Sequence, residues 1–177
     1  MEKPENGKTQ PPVKIDQMRL QQHLQEVRDN QNLAMGVLGG IGAAALGAWV
    51  WAMVSYYTDS QIGWMAIGVG FLVGYAVRQF GKGVDTSFGV IGAVFSLGGC
   101  LAGNLLTVCV FIAKEEGVEV TAVLSQLDFE TAVEMLVETF NPMDILFYGF
   151  ALYYGYKNSF YRVSEKKLKE MTRPAGR

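Results

Sequence analysis

Residues 145–156, ILFYGFALYYGY, lie uncharged between Asp144 and Lys157, and their reading decides whether the chain makes three apolar passes or four. At 1.5 Å per residue a helix over this stretch covers about 18 Å, short of the roughly 30 Å hydrocarbon core of a bilayer. It crosses only if extended at both ends, to about 142–161, with Lys157 reaching toward the head groups along its apolar stem. Outward from this segment the signals are stronger. Residues 33–57 run 25 positions without a charge and residues 86–113 run 28, each longer than the roughly 20 residues a transmembrane helix requires. Residues 60–77 give 18 uncharged positions, enough for a further span with Arg78 at the boundary.

The placement of basic residues arbitrates the doubtful pass. With four spans and a cytoplasmic N-terminus, 14 Lys and Arg fall on the inner side and Lys114 alone on the outer. If 142–161 does not cross, the seven basic residues from Lys157 onward move outside and the asymmetry is lost, against the positive-inside tendency. The acids number 8 inside and 9 outside, so a formal charge of -2 hides a basic inner face, suited to anionic lipid, and an acidic outer one. The expectation is an all-α integral membrane protein with four transmembrane helices in two hairpins, at about 33–57, 60–80, 86–113 and 142–161. Both ends are then cytoplasmic. Residues 1–14 are polar and proline-containing and read as a disordered tail. Residues 15–32 read as a juxtamembrane helix continuing into the first span, and 162–177 as a basic tail. Val13, Leu20, Leu24, Val27 and Ala34 follow a heptad-like series interrupted by Gln17 and Gln31, a thin coiled-coil pattern beside the plainer reading of a solvated helix. No small-residue cleavage pattern precedes the first span, which is expected to serve as its own uncleaved insertion signal.

Small residues recur at four-residue spacing in three spans: Gly36, Gly40, Ala44 and Ala48, with Gly39, Ala43 and Gly47 alongside; Ala66, Gly70 and Gly74; Gly92, Ser96 and Cys100, with Gly99 and Gly103 nearby. Such faces let helix backbones approach closely, within one chain or between copies, and the intrachain bundle is the reading favoured here. Cys100 and Cys109 are more than two turns apart on one helix, which excludes a disulfide between them and leaves them as small packing residues. Trp49, Trp51, Tyr56, Tyr57 and Trp64 flank the turn TDSQ, as aromatic side chains do at a water interface. The other turn, in GYAVRQFGKGVDTSFGVIG (74–92), carries Arg78 and Lys82 near the negative end of one helix and Asp85 at the start of the next, where helix dipoles favour them. Gly81 and Gly83 suit a chain reversal through positive φ. The same two basic side chains suit phosphate head groups.

Between the third and fourth spans, LDFETAVEMLVETF predicts an external amphipathic helix over about 128–140, with Asp128 as N-cap and Phe129, Ala132, Val133, Leu136 and Phe140 on one face. Glu130, Glu134 and Glu138 stack along the other, a surface for cations or a partner unless merely solvated. Asn141, Pro142 and Asp144 then give the last helix a defined start.

Chemistry is sparse. The one histidine, His23, lies in the N-terminal region, and HExxH, CxxC and the phosphate-binding glycine loop are missing; GKGVDTS lacks the required order. No ionisable residue lies deep in the first three spans, as an ion-coupled transporter would need. Ser96, Asn104 and Thr107 are read as interhelical hydrogen-bonding groups, with pore lining as the rarer role. A lipid-acting enzyme would have Arg78 and Lys82 for head groups but only Asp85 as base.

YAVRQFGKGVDTSFGVIGAVFSLGGCLAGN and FNPMDILFYGFALYYGYKNSF resemble a family of uncharacterised bacterial multi-pass, four-span membrane proteins, some with an extra soluble N-terminal module, over about residues 62–161. The resemblance implies an inner-membrane location and a four-span fold, and supplies no activity. The expected function is that of a non-enzymatic scaffold or accessory subunit, self-associating through small-residue faces or bound to another membrane protein. The rival is a channel or small-solute pore with an acidic external rim. No catalytic residue, cofactor, metal site or nucleic-acid partner is expected.

Overall fold

The computed structural model describes residues 14–15, 17–163 and 172–173, so the expected tails over 1–14 and 162–177 lie almost wholly outside the described residues. It divides into two units, one of residues 1–29 with 162–177 and one of residues 30–161. In the first, Gln17–Asp29 form helix α1, and Lys14–Ile15 pair antiparallel with Thr172–Arg173 in a two-residue ladder too short to build a layer. His23 is buried there, with Nδ1 3.5 Å from Glu26 Oε2. Everything else described is helical or connects helices.

The second unit holds α2 (Leu33–Thr58), α3 (Met65–Gly81), α4 (Thr86–Glu116), α5 (Val120–Ser125), α6 (Phe129–Glu138) and α7 (Pro142–Asn158). The expected continuous helix from 15 into the first span is interrupted. Asn32 is extended (φ -128°, ψ 100°), and its side chain accepts from the Met35 N–H at 3.0 Å, capping α2 afresh. Helices α2 and α4, of 26 and 31 residues, are long and apolar enough to cross a membrane. Helices α3 and α7 have 17 residues each, about 25 Å by helical rise. Bonds of the i→i+3 type from Met65, Ala66 and Ile67 carry the α3 helical path back to Ile62, so α3 begins later than residue 60 but enters through a tightened turn. Asn141 starts α7 in keeping with its sequence: its side chain accepts from Met143 N–H, and its own N–H donates to the Asp144 carboxylate at 2.9 Å. Helix α5 has no counterpart in the sequence reading.

Helices α3 and α4 touch, and α2 and α7 each pack on both. The small-residue faces are used within the chain. Gly36 and Gly40 lie against Phe88, Phe95 and Val77, and a Cβ on Gly99 would sit 3.2 Å from Ala44 Cα. The α7 seat is closer still. A Cβ on Gly70 would come within 2.6 Å of the Ala151 carbonyl oxygen, and one on Gly74 within 2.9 Å of the Gly155 oxygen. Only hydrogen leaves room for main chain to lie on main chain, and close backbone approach is what holds helices together where apolar surroundings remove the hydrophobic drive.

Small side chains are concentrated in the core and many large apolar ones lie outside. The core contains Ala43, Ala66, Ala151, Cys100 and Ser96 with a few larger groups such as Val73, Val77, Phe88 and Trp51, whereas Leu38 is 63% exposed, Val94 58% and Ile145 65%. Trp51, expected among the interface aromatics, is 2% exposed and packs its ring on Gly103, so it is a core residue. Trp49, Tyr56, Tyr57 and Trp64 are exposed around the first reversal.

Candidate functional site

The bundle has two unlike ends. At one, α3 reverses into α4 through residues 82–85. The positive φ falls on Lys82 (49°) and not on the glycines flanking it. Gly81 and Gly83 are buried, and a Cβ on either would run into the Phe88 ring, so they serve close packing and not the reversal itself. Phe88 is 1% exposed and also touches Gly36, which makes it the plug beneath the turn. Asp85 is the N-cap residue of α4, but its carboxylate accepts from Gln31 Nε2 and makes no side-chain cap bond. Gln31 Oε1 accepts from the Val84 N–H, Asn32 N–H donates to the Gly81 carbonyl at 2.9 Å, and Tyr161 N–H to the Gly83 carbonyl at 2.8 Å. The turn is thus tied to both the entry of α2 and the exit of α7. Arg78 lies with its guanidinium 5.0 Å from the Tyr75 ring centre, and Gln79 Nε2 donates to the Tyr75 hydroxyl at 3.2 Å. Lys82 is exposed. Arg78, Lys82 and Lys157 give this end its basic character.

Toward the other end lies a buried polar layer. Asn104, 2% exposed, accepts from Gln61 Nε2 at 2.7 Å and donates through Nδ2 to the Tyr148 hydroxyl at 3.0 Å, joining the α2–α3 loop, α4 and α7. Thr107 donates to its own helix at Gly103 O and lies 3.3 Å from the Ser55 hydroxyl of α2. Ser96 bonds only within α4, to Gly92 O at 2.6 Å, and its hydroxyl packs against Gly155. Of the three polar residues singled out in the sequence, Asn104 and Thr107 therefore bridge helices, while Ser96 completes the α7 seat. Trp51 Nε1 finds no acceptor among the described residues. Sequence reasoning does not reach Gln31, Gln61, Ser55 and Tyr148 as partners; a glutamine just outside each end of α2 is the available signal.

Beyond this layer the surface is acidic. Lys114 pairs with Asp59 and lies 5.3 Å from the Tyr56 ring centre. Asp128 caps α6, accepting from Thr131 N–H at 2.8 Å, and bonding with Thr131 holds its carboxyl below the usual carboxylate range. Glu130, Glu134 and Glu138 are exposed along α6. Its apolar face is only partly covered: Ala132 and Leu136 are half-buried, but Phe129 is 85% exposed and Val133, Val137 and Phe140 are exposed too. No group of three His, Cys, Asp or Glu able to hold a metal ion occurs among the described residues.

Comparison with protein-family models, with curated proteins and with solved structures finds no match to this chain.

Proposed function

We propose that the chain is a four-span bacterial inner-membrane protein with both ends cytoplasmic, acting without catalysis as a scaffold or accessory subunit. The observation that carries the membrane part is the outward placement of large apolar side chains. Leu38, Phe71, Val94, Ile145 and Phe150 face outward from all four long helices, around a core in which alanine, glycine, serine and cysteine surround a few larger groups, Trp51, Val73, Val77 and Phe88. In water so many large exposed apolar side chains on every long helix would call for a cover, since monomeric soluble proteins keep exposed apolar patches small. In lipid they form an ordinary boundary. The short α7 then crosses beside the equally short α3, with its backbone seated on Gly70 and Gly74.

The scaffold reading is supported by how the inner polar groups are engaged: Asn104, Thr107 and Ser96 are bonded inside the bundle, an arrangement that favours packing over conduction by one copy. The acidic face of α6, with exposed Phe129 and Val137 beside Glu134 and Glu138, is the surface offered to a partner.

Topology is tested by cysteine labelling from either side of inside-out and right-side-out vesicles. Lys82→Cys and Lys157→Cys should label only from the cytoplasmic side and Glu134→Cys only from the other, with Cys100 and Cys109 silent in both. Labelling of Lys157→Cys from the outer side would leave three spans. The scaffold role is tested by purification in mild detergent. A protein co-purifying in fixed ratio, and lost on Glu130, Glu134 and Glu138→Lys, is the expected result; a monomer with no companion overturns it.

A further inference from the structure

We infer that the face between α2 and α3 holds one anionic phospholipid of the leaflet on the basic side. Its acyl chain lies in a groove beside Gly42, and its phosphate meets Arg78. The inference rests on the membrane reading above. The groove measures about 500 Å³ and is walled by Met35, Leu38 and Leu46 from α2 and by Leu72, Tyr75 and Phe80 from α3, with Gly39, Gly42 and Ala43 as its floor. From Met35 to Leu46 it runs about 16 Å along the helix axis, which is the depth of one leaflet, half of a roughly 30 Å hydrocarbon core. Its ends differ as a lipid's do. The Leu46–Leu72 end is wholly apolar. At the other, Tyr75, Gln79 and Phe80 line the mouth, Gln79 donates to the Tyr75 hydroxyl, and the Arg78 guanidinium, itself outside the lining, lies 5.0 Å from the centre of the Tyr75 ring.

Gly42 gives the groove a purpose that intrachain packing does not. A Cβ there would meet nothing within 4 Å, as at Gly68, Gly98 and Gly149, but of these four glycines only Gly42 lines the groove. Gly39, one turn nearer the basic end, is floored by Phe80 instead. A groove kept open on a bilayer-facing surface is filled by lipid tails, and Arg78, held against the Tyr75 wall, selects the charge of the head. A larger groove of about 690 Å³, walled by Trp49, Tyr56 and Val110, opens at the acidic end, where the one basic side chain, Lys114, is already paired with Asp59. It lacks that selectivity.

The test uses the full chain purified in detergent and equilibrated with palmitoyl-oleoyl phosphatidylglycerol or the matching phosphatidylcholine, with retained lipid read by native mass spectrometry. One phosphatidylglycerol per chain should survive activation that strips phosphatidylcholine. Arg78→Gln should weaken its retention about fivefold, the worth of one basic residue at a membrane surface. Gly42→Leu, whose Cβ meets nothing within 4 Å and whose longer side chain enters the groove, should abolish it. A photoactivatable phosphatidylglycerol with its reactive group on the acyl chain should label Leu38, Leu46 and Leu72 in the unaltered protein, a readout that needs no variant. Equal retention of the two lipids, retention unchanged in Gly42→Leu, or labelling spread evenly around the bundle overturns the inference. So does conversion of a dimer to monomer by Gly42→Leu, which would place a second copy in the groove. Recovery of the chain in soluble form without detergent would instead overturn the membrane reading itself.

Discussion

Gln31 holds the Asp85 turn with both ends of its side-chain amide, Nε2 donating to the carboxylate and Oε1 accepting from the Val84 N–H. One side chain at the entry of α2 thereby fixes the α3–α4 reversal 53 and 54 residues away in sequence. Gln31→Ala should destabilise the bundle by about 1–3 kcal/mol, because it removes a hydrogen bond to a charged group and a backbone contact together. Gln31→Glu should cost more, since it sets a second carboxylate against Asp85. Thermal unfolding in detergent, followed by circular dichroism, checks both, and equal midpoints for parent and both variants would show that the clasp carries no weight.

Glycines of opposite function separate by substitution. Gly70→Ala places its methyl 2.6 Å from the Ala151 carbonyl oxygen and should destabilise by about 1–3 kcal/mol or unseat α7. Gly68 and Gly149 have open space where a methyl would go, so Gly68→Ala and Gly149→Ala should be neutral or stabilise by about 0.4–1 kcal/mol. Protease cleavage between α6 and α7, followed by testing whether α7 stays associated, distinguishes the two classes. Retention of α7 by Gly70→Ala as firm as by Gly68→Ala would contradict the close-packed seat.

Asn104 should matter to stability and not to flux. Asn104→Ala leaves Gln61 and Tyr148 without their shared partner and should cost about 0.6–2 kcal/mol, the range measured for interhelical hydrogen bonds in membranes. In sealed liposomes its ion and solute permeability should match that of the parent. A changed flux would instead support the pore reading.

Acidification should loosen α6 selectively. The Asp128 carboxyl is held below its ordinary value by bonding with Thr131, so its contribution is fully present above the ordinary carboxylate range and is lost as pH falls through the lowered folded value. Amide exchange of residues 129–133 should therefore rise in strongly acidic buffer. Asp128→Asn should retain a cap without that dependence. A parent and variant with identical pH profiles would remove Asp128 as the cause.

Much of the helical plan is legible in the sequence because charge-free length and capping residues are local properties. The N-caps at Asp128 and Asn141 are visible in the letters, as is the span from Leu33. What is not legible depends on which helix lies next to which. Gly81 and Gly83 look like reversal residues in any sequence, and only the position of Phe88 shows that they make room for its ring while Lys82 bends the chain. Trp51 sits two residues from the exposed Trp49, and 3.6-residue periodicity places them on different faces; a run apolar on every side gives no indication of which face is the inner one. Gln31 reads as a flaw in a heptad because its partner lies across the turn. The α2–α3 groove is harder still, since its walls come from two helices whose facing is not written in either one, and it belongs to no motif.

The seating of α7 also bears on how the protein is made. Gly70, Gly74 and Gly92 expose bare main chain on α3 and α4 until residues 151–159 arrive, and those residues come last from the ribosome among the bundle's helices. A nascent chain halted before Pro142 would leave that backbone furrow unfilled, so the last helix is what completes the packing of the two before it.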